Sequence, residues 1–194
     1  MRKLIAAALM TAACAACFVA GQVSAEEESG GGFPMPEWTK MGKEHESFKK
    51  LAGEWDISQK MWMMPGQPPM ESKAFSSSKL LWGGRFVEMD YRGDMMGTPF
   101  KGRLLMGFDR VDKKYVSVWM ENLSAYMSIS YGTEKDGVIT YTMNDPDYMT
   151  GQKKKTQMQM KWVDDDTYTL TFVDDSGAGE PRTTMQMTYS RKKE

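Results

Sequence analysis

The stretch Gln157-Met158-Gln159-Met160-Lys161-Trp162 alternates polar and apolar residues without a break. Thr167-Tyr168-Thr169-Leu170-Thr171-Phe172 and Thr184-Met185-Gln186-Met187-Thr188-Tyr189 repeat the pattern further on. Period two places one residue set on a dry face and the other on a wet face, the signature of half-buried β-strands. Working outward, rougher runs of the same kind occupy 54–62, 71–82, 85–92, 100–108, 115–121, 125–131 and 138–143, so about ten strands are expected. Gly83-Gly84, Asp109 to Lys114, Lys135-Asp136-Gly137, Asp164-Asp165-Asp166 and Asp174-Asp175-Ser176-Gly177 supply turn chemistry between them. Connections this short make neighbouring strands antiparallel. The expected fold is all-β: an antiparallel up-and-down barrel, since closure removes the exposed sheet edges that invite aggregation.

Ahead of the strands, Met41, Phe48 and Leu51 are spaced for one short helix that Gly53 stops. Residues 41–192 form the expected single domain. Glu26 to Lys40 carries three Glu, Ser29-Gly30-Gly31-Gly32, Pro34 and Pro36, the composition of a flexible linker. Residues 1–25 read as a signal peptide: Arg2 and Lys3, an apolar run from Leu4 to Val19, then Val23-Ser24-Ala25 as the cleavage site. The expectation is a periplasmic or secreted protein cut after Ala25. Lipidation at Cys14 or Cys17 is disfavoured, because neither has Leu three positions before it.

Cleavage removes both cysteines and two basic residues, leaving 23 basic against 26 acidic groups, without a disulfide, a thiol nucleophile or a Cys metal site. Nucleic acid is a poor partner for that surface. No transmembrane segment is expected in the mature chain.

At the junction of helix and first strand, Gly53-Glu54-Trp55 pairs a glycine that permits a tight turn with a large indole. The arrangement resembles that of lipocalin-type barrels, which use such a Trp together with a basic residue from the last strand; the resemblance implies Arg191, two residues after Tyr189, as the partner of Trp55 in a cation–π stack closing the barrel. Gly53, Trp55 and Arg191 are thus read as structural.

Leu51-x-Gly53-x-Trp55, Gly83-Gly84-Arg85-Phe86, Gly97-Thr98-Pro99-Phe100-x-Gly102, Gly107-Phe108-Asp109, Lys114-Tyr115-Val116-x-x-Trp119 and Tyr189-Ser190-Arg191 occur in one order. In that order the chain resembles the bacterial DUF1579 family, whose function is unknown. The resemblance covers about 41 to 192 and implies a lipocalin-like fold. Where members often carry Asp after the Trp of the fifth strand region, this chain has Met120-Glu121-Asn122. Nitrobindin-like barrels, which the fold also resembles, hold haem through a histidine near the C-terminal strands; none lies there here, and no cofactor is expected.

The only histidine, His45, sits between Glu44 and Glu46 and reads as a solvated helix residue. Of 20 methionines, 18 remain after cleavage. Met158, Met160, Met185 and Met187 fall on the apolar face, where an adaptable core filler belongs, and are candidate lining residues of a ligand cavity together with Trp62, Trp119, Arg85 and Arg103. An inward Arg needs an acid partner such as Glu88 or Asp90, or an anionic head group. The leading expectation is a binding module for a small apolar or amphipathic ligand. Two others stand beside it: an enzyme using Asp90 or Glu121 at the barrel mouth, and copper handling or oxidant scavenging through Met61, Met63, Met64 and Met70. No metal site of the usual His/Cys/carboxylate kind is read, and Asp164 to Asp166 lacks the spaced oxygens of a calcium loop.

Overall fold

The computed structural model describes residues 34–147, 150–175 and 179–193. Residues 1–33, with the expected signal peptide and most of the expected linker, lie outside them.

Ten strands close into one barrel: β1 (Gly53–Met61), β2 (Met70–Leu81), β3 (Phe86–Met95), β4 (Thr98–Asp109), β5 (Lys114–Glu121), β6 (Ser128–Lys135), β7 (Val138–Pro146), β8 (Lys153–Asp164), β9 (Thr167–Asp174) and β10 (Arg182–Arg191). Each pairs antiparallel with its sequence neighbours, and β1 with β10, where Trp55 faces Arg191 and Met61 faces Met185, completes the ring. This is the expected up-and-down barrel. Two-residue turns join some strands. At Asp136-Gly137 both residues have positive φ (52° and 75°), the backbone of a type I′ hairpin turn, which suits Asp-Gly.

One helix, α1 (Lys43–Lys49), lies across the end of the barrel at which β1 starts. It is shorter than the expected 41–51. Its N-terminus is closed by His45, whose Nδ1 accepts the Gly42 N–H at 3.0 Å. His45 is buried and meets Phe48 and Phe108 edge-on at 5.6 and 6.2 Å. The solvated histidine is therefore corrected to a buried helix cap, because α1 turns that face onto the barrel rather than to water.

Two boundaries also move. Sequence reading starts the sixth strand at 125, but it runs from Ser128 to Lys135, because Ser124 Oγ takes the Tyr126 N–H into a turn and pairing with β7 continues to Lys135 opposite Val138. The end of the expected linker is anchored as well. Glu37–Thr39 form a 3-10 turn, and Arg110 Nη1 donates to the carbonyls of Glu37 (2.7 Å) and Lys40 (2.8 Å).

Candidate functional site: barrel interior and outer groove

The interior is built first from its sealed end. Arg191 lies 4.3 Å above the centre of the Trp55 ring. Its Nη1 and Nη2 donate to the carbonyls of Ala52 (2.9 Å) and Lys50 (2.8 Å), and its Nε to Asp166 Oδ1 (2.9 Å). One guanidinium thus ties the last strand to the end of α1, to the start of β1 and to the β8–β9 turn. Gly53 fits this crowding: at φ 126° it has no side chain, and an added Cβ would sit 2.9 Å from Arg191 Nη1. The acidic triplet belongs to the same lock, since Asp165 pairs with Lys50 at 2.9 Å. The Lys50 ammonium holds the Asp165 carboxyl below the usual carboxylate range.

Above that end the barrel is packed rather than hollow. Met158, Met160 and Met187 are only 6–9% exposed and share one core with Tyr115, Tyr141, Tyr168 and Tyr189. The Tyr141 hydroxyl donates to Met106 Sδ at 2.9 Å, and that of Tyr91 to Gln59 Oε1 at 3.0 Å. Near the open end the indole of Trp119 covers Gly102 so closely that a Cβ there would lie 2.0 Å from its Cη2. Small and aromatic residues of the quoted motifs are therefore paired volumes.

The sequence puts eight candidate ligand-lining residues in the barrel interior or at its mouth. Of these, Met158, Met160 and Met187 are core, while Trp62, Trp119 and Met185 are half-buried toward the mouth. Arg85 and Arg103 are corrected to the outside. Val87, Met89 and Tyr91 hold the inward positions of β3, so Asp90 faces out, and Arg103, opposite Asp90 in register, joins it at 2.8 Å. Arg85 precedes β3 on the exposed side. The carboxylates considered for catalysis are engaged too: Asp90 by Arg103, and Glu121 by the Leu123 N–H at 2.6 Å. Both line a shallow cleft of 340 Å³ with Lys101, Arg103 and Met120. At the mouth, Lys154 pairs with Asp174 (3.0 Å) and Asp147 (3.6 Å), so that cation has acid partners already. Among the described residues no group of three or more His, Cys, Asp or Glu side chains is placed to hold a metal ion, and no helix is long and apolar enough to cross a membrane.

Sequence reasoning missed the outer face of β3–β6. There the outward set is apolar: Val116, Val118, Ile129 and Tyr131 point outward, while Ser117 and Ser130 point inward with their hydroxyls 2.6 Å apart, beside the inward Tyr115 and Trp119. Register lines these up in two apolar rungs, Phe86–Gly107–Val116–Tyr131 and Leu105–Val118–Ile129. Phe86 lies over Gly107, where a Cβ would come within 2.6 Å of its ring, and Trp82 stands edge-on to Phe86 at 5.6 Å. Along the flank of this face runs a groove of 640 Å³. Phe86, Leu105, Val116 and Val118 line it from the sheet, and Met35, Trp38 and Met41 from the segment that Arg110 anchors. Arg85 also lines it, and its guanidinium donates to the Trp82 carbonyl at 3.3 Å. No carboxylate among the described residues pairs with Arg85.

The family profile of DUF1579, described as a protein of unknown function, matches residues 40–191, nearly all of the barrel with α1. The chain belongs to the DUF1579 family. Two solved structures show how far the likeness extends. Rv2717c from M. tuberculosis has 12% identity, covers 79% of this chain and 100% of its own, and superposes with a TM-score of 0.51. A redesigned beta barrel has 10% identity, covers 75% of this chain and 94% of its own, with a TM-score of 0.42. At such identity the first likeness shows the fold alone. No curated protein matches this DUF1579 chain.

Proposed function

We propose that this DUF1579 protein binds a small amphipathic molecule, and that the outer groove is where it does so: apolar body on Phe86, Leu105, Val116 and Val118, anionic end at Arg85. The observation that carries the reading is the apolar outer face of β5 and β6. Barrel strands that turn Val, Ile and Tyr outward leave apolar surface in water, and surface of that kind marks a binding site. The groove's 640 Å³ falls within the roughly 300–1,000 Å³ of ligand sites.

Size argues for a small molecule over a protein. By strand spacing and rise, two rungs across four strands cover on the order of 300 Å². Stable protein interfaces need about 800 Å² from each partner. Charge points to the acid end of the ligand, because Arg85 lines the groove with no carboxylate paired to it among the described residues, whereas Lys40 pairs with Glu37 and the Arg110 guanidinium is occupied by the carbonyls of Glu37 and Lys40.

Isothermal titration with decanoate checks this. Arg85→Ala removes a charge-assisted hydrogen bond worth about 1.5–3 kcal/mol, so affinity drops about tenfold or more. Val118→Asp, which puts a charge on the apolar floor, abolishes the heat of binding. Decanoate that binds both variants as tightly as the parent sits elsewhere, and the assignment of the groove is then wrong.

A further inference from the structure

The methionines range from core to fully open positions. Met158, Met160 and Met187 are 6–9% exposed, as core fillers are, whereas Met63, Met64 and Met70 are 48–60% exposed and fill nothing. Packing explains the first group and leaves the second without a role.

Strand register sets one of these exposed methionines, Met70, in line with two half-buried ones, Met61 and Met185. Met61 faces Met70 across the β1–β2 pair and Met185 across the β1–β10 pair, so three thioether side chains form one continuous rung over three adjacent strands. Directly opposed residues in antiparallel strands lie about 5 Å apart at Cα, a spacing from which three flexible side chains can converge on one ion. The rung holds the same alternating position as Trp55, Ile57 and Gln59 on β1 and as Met187 and Tyr189 on β10, which places it on the inner side of the sheet at the open lip. Met61 and Met185 are half-buried, and Met70 opens to solvent. The loop that follows Met61 is pinned beside them, because the Trp62 N–H donates to the Thr184 carbonyl at 2.9 Å. Met63 and Met64 lie on that loop. His45, the only imidazole, is at the opposite end, against α1 and Phe108.

We infer that Met61, Met70 and Met185 form a thioether site for a soft monovalent cation, Cu(I), at the lip of the barrel. A donor set of neutral sulfurs, without imidazole, thiolate or carboxylate, suits Cu(I) and disfavours Zn(II) and Cu(II). Binding is simple coordination, three sulfur lone pairs to one cation, with no change of oxidation state and no proton released. This gives the site a property that a His or Cys site lacks: its affinity does not change with pH, since metal affinity depends on pH through protons on the ligands and a thioether carries none.

The test is anaerobic competition for Cu(I) between the protein and a colorimetric chelator, at pH 5.5 and pH 7.5. One Cu(I) per chain with equal affinity at both pH values is expected. The variant with Met61, Met70 and Met185 all replaced by Leu, swaps of similar volume that leave the fold intact, loses at least 100-fold in affinity, whereas Met158→Leu with Met160→Leu loses none. Parent protein that leaves the chelator fully loaded, a pH-dependent affinity, or a triple-leucine variant that still competes overturns the assignment.

Discussion

Trp55→Ala unfolds at markedly lower urea than the parent, with a loss of about 3–5 kcal/mol for truncating a fully buried indole. Trp55 has no exposed surface, it meets Tyr168 edge-on at 4.9 Å, and its Nε1 donates to the Leu51 carbonyl at 3.0 Å. Arg191→Ala costs about 2–3 kcal/mol, since the carbonyls of Lys50 and Ala52 and the carboxylate of Asp166 all lose a cationic donor at once. The two residues touch, so the losses are not additive. The double variant falls short of their sum by about 0.5–2 kcal/mol, the range of a cation–π pair. Equilibrium urea unfolding of the four proteins reads this directly. Strict additivity would mean that the guanidinium holds the backbone alone and that its place over the ring contributes nothing.

In alkali the protein unfolds in one steep step, and five of its eight tyrosines ionise only in that step. Tyr91, Tyr115, Tyr141, Tyr168 and Tyr189 are all at most 6% exposed. Burial pushes Tyr91 up to about 12. It raises the other four as well, with Glu134 adding to the effect at Tyr115 and Tyr115 to that at Tyr141. In the unfolded chain these phenols titrate near 10. Below that pH both states hold the protons and the buried rings contribute their full stability. As pH rises past 10 the unfolded chain releases protons that the folded one retains. Each tyrosine then removes about 1.4 kcal/mol of stability per pH unit until its folded pKa is reached, so five together remove about 7 kcal/mol per unit. Tyrosinate absorbance recorded beside circular dichroism checks the outcome. Smooth ionisation of all eight tyrosines near pH 10, with the fold intact, would contradict a packed interior.

The barrel was legible where one alternating set is clearly polar. β8, β9 and β10 each oppose Gln, Lys or Thr to Met, Leu or an aromatic, and only one orientation buries the second set. The Trp55–Arg191 contact was readable from the resemblance to lipocalin-type barrels, which pair a Trp at this junction with a basic residue of the last strand. β5 was not readable from its alternation. Tyr115-Val116-Ser117-Val118-Trp119-Met120 is apolar in both alternating sets, and period two names the sets without saying which is inside. That choice comes from the neighbours, because Trp119 needs the space over Gly102 and Tyr115 packs at 5.0 Å from Phe108. Val116 and Val118 are turned outward as a consequence. Arg103 follows the same rule, turned outward opposite Asp90 because Tyr91 and Gly102 face in; Arg85 escapes the alternation, because it caps the Trp82–Gly84 turn in helical backbone before β3 begins. The methionine rung was hidden because Met61 and Met185 are far apart in sequence and meet only when β10 returns to β1.

The location of the ligand is the central claim, and methyl NMR tests it most directly, since the inner and outer faces of one sheet carry different methyl groups. In a decanoate titration the methyls of Leu105, Val116 and Val118, all outside, are expected to shift and saturate together, while those of Met158, Met160, Met187 and Leu170, all inside, stay where they are. Shifts confined to the inner set would place the ligand within the barrel and contradict the outer groove.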